Sequence, residues 1–165
     1  MDQLIPGTHI YWAEYMCTCC GKLPPDFETD NQKYWAIFGC FEDIRRLYGG
    51  PISISRGYSC TKHQLFIYLH QVLNKYKDLN TETIIQIIND STMTPFSTHP
   101  FGVALDLIPP IEDTPRVIEI AKNVRPKLRI GYRAYSTNKR PHIHIDLGHL
   151  INPRYSEKLR EGAEW

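Results

Sequence analysis

The segment Gly102-Val-Ala-Leu-Asp-Leu-Ile108 is an apolar run with one carboxylate, Asp106, inside it. Pro109 and Pro110 end the run, which is typical of a buried strand. A second segment, Pro141-His-Ile-His-Ile-Asp-Leu147, alternates polar and apolar residues. Because strand side chains alternate between two faces, its polar residues are expected on one face. A buried carboxylate is costly unless it is paired or bound to a metal, so we expect these two strands to build a site.

Helical spacing of apolar residues predicts four helices in the rest of the chain. The first spans 34–48 and ends at Gly49-Gly50, and the third is a short helix from Thr81 to Ile88. The second begins at Thr61 and is expected to bury Leu65, Leu69, Val72, Leu73 and Tyr76. The fourth begins at Thr114-Pro115 and has Val117, Ile118, Ala121 and Val124 on its inner face. Further strands are expected at Ile52–Ser55 and Leu128–Ile130. Helices come first and strands cluster late, which predicts an α+β fold with helices packed against a small, mainly antiparallel sheet.

Length and composition indicate one globular domain. The chain has 165 residues, 42% of them apolar, and a formal net charge of +1. We expect one domain across 1–165, with its core at about 9–150 and a surface tail at 151–165. The small net charge argues against nucleic acid as a partner, and no apolar run is long enough to span a membrane. Residues 1–10 lack the pattern of a secretory signal, so we expect cytoplasmic synthesis, and a monomer.

Zinc accounts for the polar residues around the two strands. A catalytic zinc ion takes three protein ligands, typically His and Asp or Glu, and keeps a fourth position for water. His99, Asp106 and His144 could supply the three ligands. The ion lowers the pKa of its bound water towards ~7, and His142, two residues before His144, is the natural general base. Ordinary core or surface histidines would each need a separate explanation, so zinc is the favoured interpretation.

The five cysteines give a weaker signal. Cys17, Cys19 and Cys20 crowd together, and with Cys40 or Cys60 they could form a second, structural zinc site. A closed site needs four ligands, and Cys-x-Cys-Cys gives an awkward three, so buried or free thiols are the expectation. Another alternative is a nucleophilic Cys60 assisted by His63, which is disfavoured because zinc accounts for more residues.

Two motifs resemble those of the zinc D-Ala-D-Ala carboxypeptidase family. Ser97-Thr-His99-Pro-Phe-Gly102-Val-Ala104-Leu-Asp106 matches all five fixed positions of the pattern Ser-x-His-x-x-Gly-x-Ala-x-Asp. Pro141-His-Ile-His-Ile-Asp146 resembles the second metal motif of this superfamily, which also contains lysostaphin-type peptidases and the hedgehog domain. The resemblance implies a hedgehog-like or D-Ala-D-Ala-peptidase-like fold. It also implies zinc on His99, Asp106 and His144, and a catalytic role for His142.

The resemblance also suggests substrate contacts. The family usually reads Ser-Gly-Tyr-Arg-Ser before the first motif, where this chain reads Arg56-Gly57-Tyr58-Ser59-Cys60. The family arginine is thought to hold substrate or the developing oxyanion, which makes Arg56 the expected counterpart from a shifted position. Tyr58 and Ser97 are the other expected substrate-binding residues. Pro141 stands where several relatives carry an acidic base, which moves that task to His142.

The resemblance implies an enzyme that cuts peptidoglycan stem peptides. The resemblance implies removal of terminal D-Ala or cleavage between L-Ala and D-Glu, in a phage-type lysin or a virion-associated enzyme. The alternative from another class is a hedgehog-like binding module that keeps zinc without hydrolysis. An intact His142 argues against that alternative, because a binding module needs no general base. A third hypothesis is a metallopeptidase acting on another small peptide, such as a dipeptide or a modified amino-acid conjugate. The expected partner is peptidoglycan or a short peptide that contains D-amino acids.

Overall fold

The computed structural model describes residues 2–75, 80, 82–83, 97–125, 127–132 and 142–151. Their helices and strands, in chain order, are α1 Trp12–Tyr15, α2 Gln32–Tyr48, β1 Ser53–Arg56, α3 Thr61–Lys75, β2 Ala104–Ile108, α4 Thr114–Val124, β3 Arg129–Tyr132 and β4 Ile143–Asp146. Short 3-10 turns lie at His99–Phe101, Ile111–Asp113 and Gly148–Leu150. Among these residues no helix is both long and apolar enough to cross a bilayer.

The four strands form one antiparallel sheet in the order β1-β2-β4-β3. Asp106 on β2 is paired with Arg56 on β1 and with His144 on β4. The prediction of an α+β fold with a small antiparallel sheet is confirmed. The finer, hedgehog-like fold and the single-domain organisation stay predictions.

The core lies between the sheet and α2. Along β4 the isoleucines Ile143 and Ile145 are fully buried, opposite in phase to the histidines, as the alternating pattern predicts. Helix α2 packs against α4, and its apolar side chains fill the core. The helix ends at Gly49, whose positive φ of 78° lets its N–H reach the Arg45 carbonyl. The predicted stop at Gly49-Gly50 is therefore confirmed.

Helix α3 differs from its predicted orientation. The helix begins at Thr61 as expected, but Leu65 and Leu69 are 50% and 37% exposed, and the buried position in this turn is Gln64. Successive residues on a helix point about 100° apart, so burying Gln64 turns Leu65 away from the core. The prediction that Leu65 and Leu69 are core residues is wrong.

The remaining helix predictions have mixed outcomes. Helix α4 starts at Thr114 with Pro115 in its first turn and buries Val117 and Ala121. The side chains of Val72, Leu73 and Tyr76, most of the helix expected at 81–88, and the tail from 152 lie outside the described residues.

Candidate metal centre

Asp106 is the centre of a cluster of polar groups. It lies in the middle of β2 with 3% of its surface exposed. The Arg56 guanidinium donates through Nε to its Oδ2 at 2.7 Å. Its other oxygen, Oδ1, lies 3.2 Å from His99 Nε2 and 2.8 Å from His144 Nδ1. Burial alone would raise the pKa of Asp106, but the two histidines hold it well below its usual range. Asp106 is therefore a carboxylate with both oxygens in use.

A tight turn brings His99 to this carboxylate. The 3-10 turn His99–Phe101 ends at Gly102, which has a φ of 72° and donates its N–H to the His99 carbonyl at 2.9 Å. A Cβ at Gly102 would lie 2.5 Å from the Tyr34 ring and 2.8 Å from both Pro24 and the Tyr15 hydroxyl. That hydroxyl also donates to the Gly102 carbonyl at 2.7 Å. The motif glycine is thus required both for its positive φ and for the absence of a side chain.

The ring of His99 has a defined tautomer. Its Nδ1 lies 2.6 Å from the Gly57 carbonyl oxygen, which can only accept, so Nδ1 carries the proton in the neutral ring. The ring is buried, and desolvation lowers its pKa. Nε2 therefore presents a lone pair to Asp106 Oδ1, which is itself an acceptor. Two acceptors facing each other at this distance need a cation between them, which is either a proton on Nε2 or a bound metal ion.

His144 is fixed from its other side. Its Nε2–H donates to Asp146 Oδ2 at 3.0 Å, which turns Nδ1 towards Asp106. Asp146 is held in turn by Arg129, with Nε and Nη2 donating to its two oxygens at 2.7 and 2.9 Å, and by the Gly148 N–H at 2.7 Å. A carboxylate that orients a ligating imidazole in this way is the usual outer partner of a metal-bound histidine.

The protonation state of His144 follows from the same contacts. Burial alone would lower the pKa of His144, but hydrogen bonds to Asp106 and Asp146 raise it to about 9. Without a metal, the protonated ring of His144 thus bridges the two carboxylates, with Nδ1–H on Asp106 and Nε2–H on Asp146. A metal ion would take the place of that proton, because metal binding to histidine requires the neutral ring.

The donor set fits a first-row transition metal. His99, Asp106 and His144 each offer one ligand atom, and the three atoms lie within 4.8 Å of one another. Zinc bonds of about 2.0–2.2 Å in tetrahedral geometry separate neighbouring N and O ligands by roughly 3.3 Å, close to the 2.8 and 3.2 Å observed. Two imidazoles favour such a metal over Ca²⁺ or Mg²⁺, which prefer oxygen ligands.

His142 lies at the edge of this group. Its Nε2 is 4.0 Å from Asp106 Oδ2, and its side chain is 30% exposed, against 13% for His144. The expected arrangement on β4, with His142, His144 and Asp146 facing the same side, agrees with these contacts. His142 is close enough to serve the site and open enough to exchange protons with solvent.

The predicted substrate residues are placed unequally. Arg56 pairs with Asp106, and the Ser97 hydroxyl accepts the His99 backbone N–H at 3.4 Å, so both adjoin the candidate ligands. Tyr58 is buried and lies near the cysteines. Its pKa is raised mainly by burial and to a smaller extent by the neighbouring Cys60, Cys20 and Cys17. Substrate binding by these residues stays a prediction.

Two contributors were not predicted as site residues. One is the Gly57 carbonyl that orients His99, and the other is Arg129, which holds Asp146. The sequence did contain an indication of Arg129, because it is a single charged residue between Leu128 and Ile130 in a predicted strand. The backbone carbonyl left none, since any residue type carries one.

A second group that could hold a metal consists of Cys17, Cys20 and Cys60, whose sulfur atoms lie within 4.8 Å of one another. All five cysteines are free thiols. Cys40 is buried within α2, where desolvation raises its pKa to about 11, and Cys19 is exposed. The three thiols that meet are therefore not the Cys17, Cys19 and Cys20 set considered from the sequence.

Comparisons with protein-family models, with curated proteins and with solved structures found no match. The family resemblance therefore rests on the two motifs alone, around His99–Asp106 and His142–Asp146.

Proposed function

We propose that this protein is a zinc metallopeptidase that hydrolyses peptidoglycan stem peptides, as a D-Ala-D-Ala carboxypeptidase or an L-Ala-D-Glu endopeptidase. One observation carries the proposal: two imidazole nitrogens and a carboxylate oxygen, from His99, His144 and Asp106, surround one point, with His142 beside them. This is the ligand number and type of a catalytic zinc site, together with a candidate base.

Each residue then has a distinct task. His99, Asp106 and His144 would hold the ion, and Asp146 with Arg129 would keep His144 oriented. A zinc ion bound there would supply a Lewis acid that lowers the pKa of water and polarises the scissile carbonyl. His142 would accept the proton released as the nucleophile forms and return it to the leaving amine. Only three ligands meet among the described residues, which is consistent with an open fourth position.

The binding-module alternative keeps the metal but not the chemistry. It would need His99, Asp106 and His144, while His142 would have no task. The partial exposure of His142 and its position beside Asp106 favour the enzyme. A metal-free network is the other competitor, with protonated His144 bridging two carboxylates. Metal analysis separates this competitor from both metal-containing proposals.

Digestion of purified peptidoglycan tests the proposed activity. The chain should release stem-peptide products, and mass spectrometry of the fragments names the bond that is cut. Activity should disappear with chelator and return when zinc is added back, because the ligands themselves are unchanged. Protein that contains zinc but produces no new fragment from peptidoglycan or from short D-amino-acid peptides would favour the binding module.

Arg56 provides a test of how the substrate is held. Because Arg56 donates to Asp106 Oδ2, its loss is expected both to loosen a proposed ligand and to remove a cation beside the proposed metal site. Arg56→Ala should lower kcat/KM by about tenfold or more, as for loss of one charge-assisted hydrogen bond of about 1.5–3 kcal/mol. Steady-state kinetics and metal content should be measured together, with Arg56→Lys as the variant that keeps the charge.

The two measurements separate the roles of Arg56. A lower kcat/KM with full metal content supports contact with substrate or the oxyanion. Loss of metal in parallel with activity assigns Arg56 to positioning Asp106. Unchanged kinetics in Arg56→Ala would remove it from the site altogether.

A further inference from the structure

A histidine lies beside the three thiols, in contact with the sulfur of Cys17. His63 Nδ1 lies 3.5 Å from Cys17 Sγ. The four residues form two pairs with the same spacing, Cys17-x-x-Cys20 and Cys60-x-x-His63. Two such pairs, far apart in sequence and adjacent in space, are the usual construction of a structural zinc site.

The first pair is shaped by a tight chain reversal. The Cys17 N–H donates to the Lys22 carbonyl at 2.9 Å, and the Gly21 N–H donates to the Cys17 carbonyl at 2.7 Å. Gly21 has a φ of 65°, a conformation that glycine adopts without steric cost. This reversal brings the Cys17 and Cys20 thiols together, whereas Cys19, between them in sequence, is exposed, lies beside Cys60 and is not one of the three mutually close thiols.

The second pair lies at the start of α3. Cys60 immediately precedes the helix, and His63 is in its first turn. The Cys60 N–H points at Cys17 Sγ at 3.3 Å, and the His63 N–H points at Cys60 Sγ at 3.5 Å. Burial alone would raise the pKa of Cys17, but backbone N–H groups and His63 lower it to about 6. The two N–H groups directed at Cys17 Sγ and Cys60 Sγ stabilise negative charge on these sulfur atoms, and the thiolate is the form that binds metal.

We propose that Cys17, Cys20, Cys60 and His63 bind a structural zinc ion in a closed Cys₃His site, separate from the histidine–aspartate centre. Zn–S bonds of about 2.3 Å and Zn–N bonds of about 2.0–2.1 Å place tetrahedral S and N ligands roughly 3.5 Å apart. The observed Sγ–Nδ1 separation is 3.5 Å. A disulfide would use two of the three thiols and leave the third and the histidine unexplained.

Such an ion would join the N-terminal segment to the loop that supports the other site. The Gly57 carbonyl that orients His99 precedes Cys60 by three residues, and the Ser59 N–H donates to the His99 carbonyl at 3.4 Å. The Tyr58 N–H donates to the Tyr15 carbonyl at 2.7 Å, two residues before Cys17. Zinc on the cysteines would therefore hold the 57–60 loop in place and support His99 indirectly.

Zinc content and cobalt spectra test this site on the full chain. The wild type should bind about two zinc ions, one per site, and Cys60→Ser or His63→Ala should bind about one fewer. Cobalt-substituted wild type should show thiolate-to-cobalt charge-transfer absorption that is lost in Cys60→Ser. Cys19→Ser and Cys40→Ser are the matched controls and should keep both the second ion and the absorption. Full metal content in Cys60→Ser, or wild-type cobalt protein without that absorption, would overturn the proposal.

Thiol labelling gives a readout that does not depend on whether the variants fold. In wild-type protein, chelator should make Cys17, Cys20 and Cys60 reactive towards a maleimide, as identified by peptide mass spectrometry. Exposed Cys19 should react with and without chelator. Equal labelling of the three thiols in both conditions, or a disulfide among them, would exclude a bound metal.

Discussion

Replacing His142 with alanine is expected to lower kcat by about 100- to 10,000-fold while the zinc ion stays bound. Residues two apart on a strand point the same way, with Cα atoms roughly 6.5–7 Å apart. His144 faces Asp106 directly, and His142 Nε2 stays 4.0 Å from the same carboxylate. In the proposed site, His142 would lie near the reacting atoms without being one of the three ligands, so its loss should remove proton transfer and leave the metal in place.

His142→Gln sharpens this experiment because glutamine can hydrogen-bond but cannot take up a proton near neutral pH. It should be as inactive as His142→Ala if proton transfer is the role of His142. His9→Ala is the matched control, since His9 pairs with Glu42 on α2 and should be fully active. Kinetics and metal content are measured on all three. Loss of zinc from His142→Ala would make His142 a ligand, and full activity would move the base elsewhere, with Asp146 the next residue to test.

The part of the fold that holds the site could be predicted because its signals are local. Strand β4 alternates apolar and polar residues, which fixes which of its side chains share a face, and β2 is an apolar run that carries one carboxylate. The antiparallel register then places Asp106 opposite His144. The ligand set follows from this pairing and from one tight turn at Gly102.

The unpredicted features depend on contacts between distant segments. The pairing of Arg129 with Asp146 and of His99 with the Gly57 carbonyl requires the sheet and loops to be assembled first. The orientation of α3 is likewise set by what packs against its first turn, because Leu65 and Gln64 are both compatible with a helix. Neither spacing nor composition carries that information.

The cysteine group illustrates the same limit. Cys17 and Cys60 are 43 residues apart in sequence, and only the folded chain brings the Cys60 N–H to Cys17 Sγ. In the sequence, Cys17, Cys19 and Cys20 look like one ligand set because they are close along the chain. Closeness along the chain does not mean that the side chains point to the same place. The spacing of Cys60-x-x-His63 carried the usable signal.

Asp106→Ala is expected to abolish zinc binding at the histidine–aspartate centre and to destabilise the metal-free protein by about 3–5 kcal/mol. Two effects combine. The ion loses a charged ligand that both histidines face, and Arg56 and protonated His144 lose the carboxylate that pairs with them. Removing one member of a buried ionic group leaves the others desolvated without compensation, which is why the loss should persist without metal. Denaturant unfolding with and without chelator, together with metal analysis, measures the two effects separately.

Asp106→Asn separates charge from shape in this comparison. The amide keeps the size of the side chain and one oxygen, so it should pack better than alanine but bind zinc weakly, since the negative charge is gone.

Asp43→Ala is the surface control, because Asp43 pairs with Arg46 and Arg125 at a site where loss of an exposed pair costs about 0–1 kcal/mol. If Asp106→Ala retains both the metal of the histidine–aspartate centre and the wild-type free energy of unfolding, the carboxylate is not the centre of the site. The ligands would then have to be sought around Asp146, the other carboxylate that His144 contacts.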